Sequence, residues 1–348
     1  MSREIPAVAA PREREAASPD IHLPRAAGIL HRAHPLAYLA IVIAGALLAV
    51  VYQIRANGIF ACPATGYSAD RYLAYCGATH YGDYEHGAFW FGLEPTIAKF
   101  ASRAPALFLG NSRTQVAFST RSTADWFSTA ASSYYLLGFS YDETDVFEGR
   151  LLERFKPRAR VYIINVDRFF SRSESIPARY VMHDTNAEQH YRHKRLWQVA
   201  HRTVCSVAPI ICGARYAVFR SRDTGAWSLA GGVNDQEPVS YDSTIDPALV
   251  ARQAAIASEF LARLPVRSDC VLLTVVPAPG IHRAEAAVLA ARLGMHFVSP
   301  KVGRLYTYDG SHLDRESAER WAAAFFRLAG PRIRGCLGGP QSLSSENH

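Results

Sequence analysis

The sequence predicts an α/β fold: a parallel sheet carrying helices, preceded by one transmembrane helix. Three observations carry this prediction. One long N-terminal run is apolar and free of charge. Beyond residue 103, short apolar runs alternate with segments of helical periodicity. From 168 to 245 that alternation stops, which reads as an insertion.

The apolar run is Leu36 to Tyr52, inside "PLAYLAIVIAGALLAVVYQI". At about 1.5 Å per residue it spans about 26 Å, enough for a bilayer core. A buried core helix would show a polar stripe, and this run has none. A span over 36–54 is therefore expected. Arg25 and Arg32 precede it, with His31 and His34 beside them, and Arg55 follows. That balance favours the N-terminus in the cytoplasm. Residues 1–35, rich in Ala, Pro, Arg and Glu, are expected to be a disordered tail. A cleaved signal peptide would want a shorter charged region. "IFAC" at 59–62 resembles a lipobox, but it lies past Arg55 and Asn57.

The 348 residues are 49% hydrophobic and 20% charged, enough for one large domain or two small ones with a core. The net charge of +7 fits an anionic membrane surface or an acidic polymer. No compact Lys/Arg cluster is interleaved with aromatics, so no nucleic-acid partner is expected.

Residues 55–103 form a membrane-proximal segment containing "YCGATHYGDYEHGAFWFG". Its aromatics suit a membrane interface, a sugar-binding groove, or packing under a loop. The domain then runs from 104 to 334. "APALFLG" (104–110), "SSYYLLG" (132–138), "ARVYIINVD" (159–167), "CVLLTVVP" (270–277) and "MHFVSP" (295–300) read as buried strands. Helices are expected between them. One covers 114–127. Another covers 142–156, with Phe147, Leu151 and Phe155 on one face and Lys156-Pro157 as its stop. Asp246-Pro247 starts a helix through Leu264. A further helix, 283–294, is closed by Gly294. Asp314 caps the last, Arg315 to Leu328, and 335–348 reads as a disordered tail. The polar insertion 168–245 is expected to roof one end of the sheet.

The six cysteines are Cys62, Cys76, Cys205, Cys212, Cys270 and Cys336. An outward-facing domain permits disulfides, and Cys62–Cys76 and Cys205–Cys212 are the expected local pairings. Buried free thiols are the alternative.

Hydroxyl nucleophiles need a base, and the base needs an orienting group. "YTYDGSHLD" (306–314) offers Asp309 and His312 in one loop after the fifth strand. There the carboxylate can fix the imidazole tautomer. Ser112 follows the first strand in "LFLGNSRTQ" (107–115), where a helix begins. A parallel sheet brings both strand ends to one edge. The Ser112 N–H would face a developing oxyanion. Gly138, ending the second strand, offers a further N–H, and Asn165, ending the third, offers an amide. Arg113 would clamp an anionic substrate group or pair with a nearby acid. His183, His190, His193 and His201 lack a ligand pattern with carboxylate support, so no metal and no cofactor are expected.

Gly110-Asn111-Ser112-Arg113 resembles the first block of the SGNH (GDSL-type) esterase and acyltransferase superfamily, and "DGSH" resembles its last. The resemblance covers about 104–330 and leaves the insertion unmatched. It implies a three-layer α/β domain, with Ser112 as nucleophile, His312 as base, Asp309 as its orienter and Gly138 as the second-block glycine. The sequence departs at Asn111, where Asp is usual, at Arg113, where Leu is usual, and at "INVD", where Gly-x-Asn-Asp is usual.

A single span before such a domain is similar to membrane-anchored members working beside polysaccharide O-acylation machinery. The expectation is a single-pass protein of the bacterial inner membrane with its domain on the periplasmic side. It would transfer acyl esters through a Ser112 acyl-enzyme, as an O-acetyltransferase of a cell-envelope glycan. Its partners would be the bilayer through 36–54, a glycan or acyl-ester substrate, and a membrane-bound acyl donor. The alternatives are an esterase or deacetylase of the same type, and an inactive scaffold that binds glycan or a partner protein.

Overall fold

The computed structural model describes residues 35–56, 58–78, 81–232 and 235–338. The tail expected over 1–35 lies outside them but for Pro35. The chain divides after Val50 into two units.

The apolar run forms one 22-residue helix, Pro35–Ala56, a little longer than expected at both ends. Proline suits the first helical position because its missing N–H has no intrahelical acceptor there. Pro35–Arg55 has a mean hydropathy of 2.3 and none of it is buried against protein, so length and composition suit a membrane crossing.

The second unit is built on a five-stranded parallel sheet. Its strands are β1 (Ala106–Leu109), β2 (Tyr134–Leu136), β3 (Val161–Asn165), β4 (Val271–Thr274) and β5 (His296–Phe297). Each lies inside its expected run. Their order is 2-1-3-4-5, read from the pairings of β1 with β2 and β3, of β3 with β4, and of β4 with β5. The central strands are buried at every position, and apolar but for their last residues Asn165 and Thr274 and the ring hydroxyl of Tyr162, because both faces are covered. Alternate residues feed two separate clusters. Leu107, Leu109, Tyr162, Ile164 and Leu273 join one with Phe147, Leu151 and Phe260. Phe108, Leu136, Val161, Ile163 and Leu272 join the other with Phe118, Trp321 and Phe325.

Local chemistry sets the helix limits. Asp246 Oδ1 accepts the Ala248 and Leu249 N–H groups at 2.8 and 3.1 Å and starts Pro247–Leu261. Gly294, at φ 65°, closes Arg283–Leu293. The Asp314 carboxylate takes the Ser317 N–H at 2.7 Å at the head of the last helix. That helix does not stop at Leu328. It continues through Pro331 to Gly338, so residues 335–338 of the expected tail are helical, and the rest of that tail lies outside the described residues. Pro331 forfeits one backbone bond, but Ile333 and Cys336 beyond it stay buried. Cys336 is also tied to Cys270 at the head of β4. Cys62–Cys76 and Cys205–Cys212 pair as expected, so all six cysteines form disulfides.

The insertion departs most from expectation. Residues 168–245 carry two helices, Ile176–His183 and Ala187–Val207, and strands Ala217–Ser221 and Trp227–Ala230. Ala217–Ser221 pairs with Trp227–Ala230 on one side and with Arg71–Cys76 of the membrane-proximal segment on the other, and Gly82–Asp83 completes this antiparallel sheet beyond Arg71–Cys76. Segments over a hundred residues apart thus build one structure. Gln198 fastens it, donating to Leu73 O at 3.0 Å and accepting the Leu73 N–H at 3.2 Å. Tyr72, Tyr81, Tyr84 and Phe89 of the aromatic segment are buried in its core.

Candidate active site

Gly110 ends β1 with φ at 136°, a backbone state that L side chains rarely adopt. A Cβ there would also stand 2.4 Å from Thr114 Oγ1 and 2.9 Å from Asn165 Cβ. The turn can therefore be tight enough for Ser112 to open a helix, Ser112–Phe118, directly after the strand. Asn111 caps that helix, its Oδ1 accepting the Arg113 N–H at 3.0 Å. An aspartate would make the same bond, so Asn111 keeps the cap while removing a charge.

The turn is braced from below by Glu148. Its carboxyl accepts the Gly110 N–H at 3.1 Å through both oxygens. Burial pushes its pKa well up, against the opposing effect of that N–H.

Ser112, Asp309 and His312 come together. Ser112 Oγ lies 2.7 Å from His312 Nε2, and His312 Nδ1 lies 2.8 Å from Asp309 Oδ2. The carboxylate only accepts, so Nδ1 carries the proton and Nε2 is left to accept from the hydroxyl. Asp309 Oδ1 also accepts the His312 and Ser311 N–H groups at 2.8 and 3.1 Å. Burial pushes the Asp309 carboxyl up, but the imidazole and these N–H groups outweigh it and hold the pKa below its ordinary value. The Tyr308 ring stacks on His312 with centroids 5.8 Å apart. The loop closes on itself as a short hairpin, with the Tyr308 N–H donating to His312 O at 2.9 Å.

The placement follows from topology. In an open parallel sheet of order 2-1-3-4-5, ligands sit at the carboxyl ends of the strands where connections diverge, here between β1 and β3. Ser112 follows β1, and Asp167 follows β3.

The other expected residues are close by, with different surroundings. Gly138 is buried, and a Cβ on it would stand 2.8 Å from Gly110 O and 2.9 Å from Asn111 O. Its N–H has no acceptor among the described residues. Asn165 does not stand free as a donor. It is fully buried, its Nδ2 donates to Asn111 Oδ1 at 3.3 Å, and its Oδ1 accepts from Val276 N at 3.3 Å and Asp167 N at 3.4 Å. It braces the cap instead. Arg113 is ion-paired with Asp167, and its Nε and Nη2 donate to Ser311 Oγ at 3.3 and 3.2 Å. Sequence reasoning gave Ser311, Tyr308 and Glu148 no role. Ser311 lies inside the quoted motif, but nothing in the sequence shows which way its hydroxyl faces.

The four histidines do not gather. His183, His190 and His193 are exposed on their helices. His201 is buried, between Tyr67 OH and Cys62 O, each at 3.0 Å. Its near neighbours Cys205 and Cys212 are tied in a disulfide, which leaves no thiolate for a metal. A second buried cluster joins His86 Nδ1 to Asp83 and Nε2 to Glu143, both at 2.9 Å. Tyr191 and Ser175 donate to the same carboxylates at 2.7 and 2.6 Å.

Comparison with known proteins finds no family model, no curated protein and no solved structure that matches this chain.

Proposed function

We propose that this chain is a serine-dependent acyl-ester enzyme of SGNH type, with a three-layer α/β domain held at a membrane by the helix Pro35–Ala56. The observation that carries the reading is the chain of contacts Ser112 Oγ–His312 Nε2–Asp309, with distances of 2.7 and 2.8 Å. Few structural roles require a hydroxyl, an imidazole and a carboxylate in that order at the carboxyl edge of a parallel sheet.

In the first half-reaction Ser112 Oγ attacks the ester carbonyl as His312 Nε2 takes the hydroxyl proton. The tetrahedral oxyanion is met by the N–H groups of Ser112 and Gly138. Ser112 N sits in the first turn of its helix, where no intrahelical acceptor exists. The imidazolium, stabilised by Asp309, returns its proton to the leaving alcohol oxygen as the ester C–O bond breaks. An acyl-enzyme and a free alcohol result. In the second half-reaction a hydroxyl or water attacks that ester by the same route and restores Ser112.

The acceptor is proposed to be a cell-envelope glycan hydroxyl, which makes the chain an O-acetyltransferase. The apolar helix and three disulfides support a membrane-anchored domain in an oxidising compartment, the periplasm in a bacterial cell. The acyl donor would be supplied by a membrane partner.

A serine-directed fluorophosphonate and a chromogenic acetyl ester test the chemistry. Labelling and turnover should vanish in Ser112→Ala and fall steeply in His312→Ala. Parent-like behaviour of both variants in both assays would sink the triad. Acetyl recovered on a glycan, rather than as free acetate, separates transfer from hydrolysis.

A further inference from the structure

We infer that the cleft beside the Ser112–His312 pair is a binding subsite for an anionic oligosaccharide. Its role as an acceptor site rests on the acyl-transfer reading above; its ligand chemistry does not. The cleft has a volume of about 750 Å³ and lies between the antiparallel sheet and the head of the last helix. Trp227, Tyr216 and Tyr308 supply ring surface, and Arg71 and Arg121 supply cations. The Tyr216 and Tyr308 hydroxyls meet at 3.2 Å, which fixes the two rings as one wall.

The charges along the cleft are unequally used. Asp314 spends its carboxylate on the Ser317 N–H at 2.7 Å. Glu319 accepts the Arg121 and Ser122 N–H groups at 2.7 and 2.9 Å. These two carboxylates thus serve the chain's own backbone, while Glu316, also at the cleft, is exposed and faces Arg320 at 3.9 Å. Among the described residues, the guanidinium groups of Arg71 and Arg121 make neither a hydrogen bond nor an ion pair, and Arg71 Nε is buried without a partner. A buried donor left unsatisfied destabilises the fold, so a ligand that satisfies it gains affinity.

Guanidinium forks match carboxylate and phosphate oxygens, and aromatic rings pack against the apolar C–H face of a sugar. Both features in one cleft fit a glycan bearing negative charge better than a neutral glycan or a lone anion. The cleft adjoins the reaction centre through two neighbours of the Ser112–His312 pair. Tyr308 stacks on His312, and Val116, one helical turn beyond Ser112 and on the same helix face, lines it. A sugar seated there would lie against the Tyr308 ring that stacks on His312.

The test is calorimetric titration of the full chain in detergent micelles with three oligomers of equal length: an oligogalacturonate, a glycerol-phosphate oligomer and a cello-oligosaccharide. At least one anionic oligomer should bind about tenfold tighter than the neutral one, or more, and lose affinity with added salt. Which anionic oligomer binds decides between carboxylate and phosphate. Arg71→Gln and Arg121→Gln should each weaken it about tenfold, with partial recovery in the Lys variants and unchanged thermal melting. The inference is overturned if neither anionic oligomer binds, if the neutral one binds as well, or if normally melting arginine variants bind like the parent. Fluorophosphonate labelling of the same parent sample separates the two claims. Labelling without binding removes the subsite and leaves the nucleophile. Binding without labelling keeps the subsite and removes the acyl-enzyme.

Discussion

Arg113 and Ser311 are 198 positions apart in the chain, and two hydrogen bonds join them, from Nε at 3.3 Å and Nη2 at 3.2 Å to Ser311 Oγ. Ser311 stands next to His312, so the residue after the proposed nucleophile holds the loop that carries its base. Asp167, paired with the same guanidinium, anchors it to the end of β3. Arg113 is thus a positioning residue. Arg113→Lys keeps the charge but loses the fork, so kcat for an acetyl ester should fall about 10- to 100-fold with KM little changed. A rise in KM alone would instead make Arg113 a substrate clamp.

Asp309 is held charged by His312 and two backbone N–H groups, with its pKa below the ordinary value of about 3.9. Its orienting effect is therefore present above that value and is lost only as pH falls through the depressed one. Asp309→Asn can place an amide N–H₂ donor where the carboxylate only accepts, so the Nδ1–H tautomer is no longer selected. It should lower kcat on the order of 10³- to 10⁴-fold while leaving thermal melting near the parent's. Steady-state turnover paired with a melting curve checks both halves.

Burial favours the uncharged form of Glu148, and Gln keeps an uncharged acceptor for the Gly110 N–H, so Glu148→Gln should be nearly silent in melting temperature and in turnover. Glu148→Ala removes the acceptor of the Gly110 N–H and should cost about 1–3 kcal/mol in a denaturant titration, with loss of Ser112 labelling. Equal damage from both substitutions would show that the carboxylate charge is used.

His86 gives stability a pH dependence. Burial alone would lower its pKa, but the flanking carboxylates of Asp83 and Glu143 override this and raise it to about 10. The unfolded chain binds that proton only below about 6.5. The contribution is therefore complete below about 6.5 and is lost as pH rises through about 10. Between these values stability should fall by at most about 1.4 kcal/mol per pH unit for one proton. Melting temperatures taken from pH 7 to 10 should decline more steeply for the parent than for His86→Gln. Parallel declines would mean that His86 is not the group responsible.

The Cys270–Cys336 bridge closes 66 residues and ties the far end of the last helix to β4. Chain entropy assigns such a loop about 4 kcal/mol. The double variant Cys270→Ser/Cys336→Ser should melt well below the parent without reductant, and reductant should bring the parent down towards it.

The sequence by itself determined the elements whose signals are local. The strands are recognisable because each is a short apolar run ended by a turn residue, and both sheet faces demand apolar side chains. Asp246, Gly294 and Asp314 announce helix ends because a cap is made within a few residues. Gly110, Ser112, Asp309 and His312 are legible for the same reason, as two short motifs on strand ends that a parallel sheet must bring to one edge. Only the tertiary structure decided what depends on distant partners. Residues 168–245 look polar and loop-like because one face of each helix is solvated. Their buried faces meet the membrane-proximal segment, from Ile59–Ala61 to Glu85–Trp90, far earlier in the chain. Asn165 looked like a free amide at a strand end, but packing turned it onto Asn111. Arg113 could clamp a substrate anion or pair with a nearby acid, and the fold sets Asp167 and Ser311 against it. A side chain's residue type is written in the chain, whereas its direction is set by whichever group the folded structure places within hydrogen-bond reach.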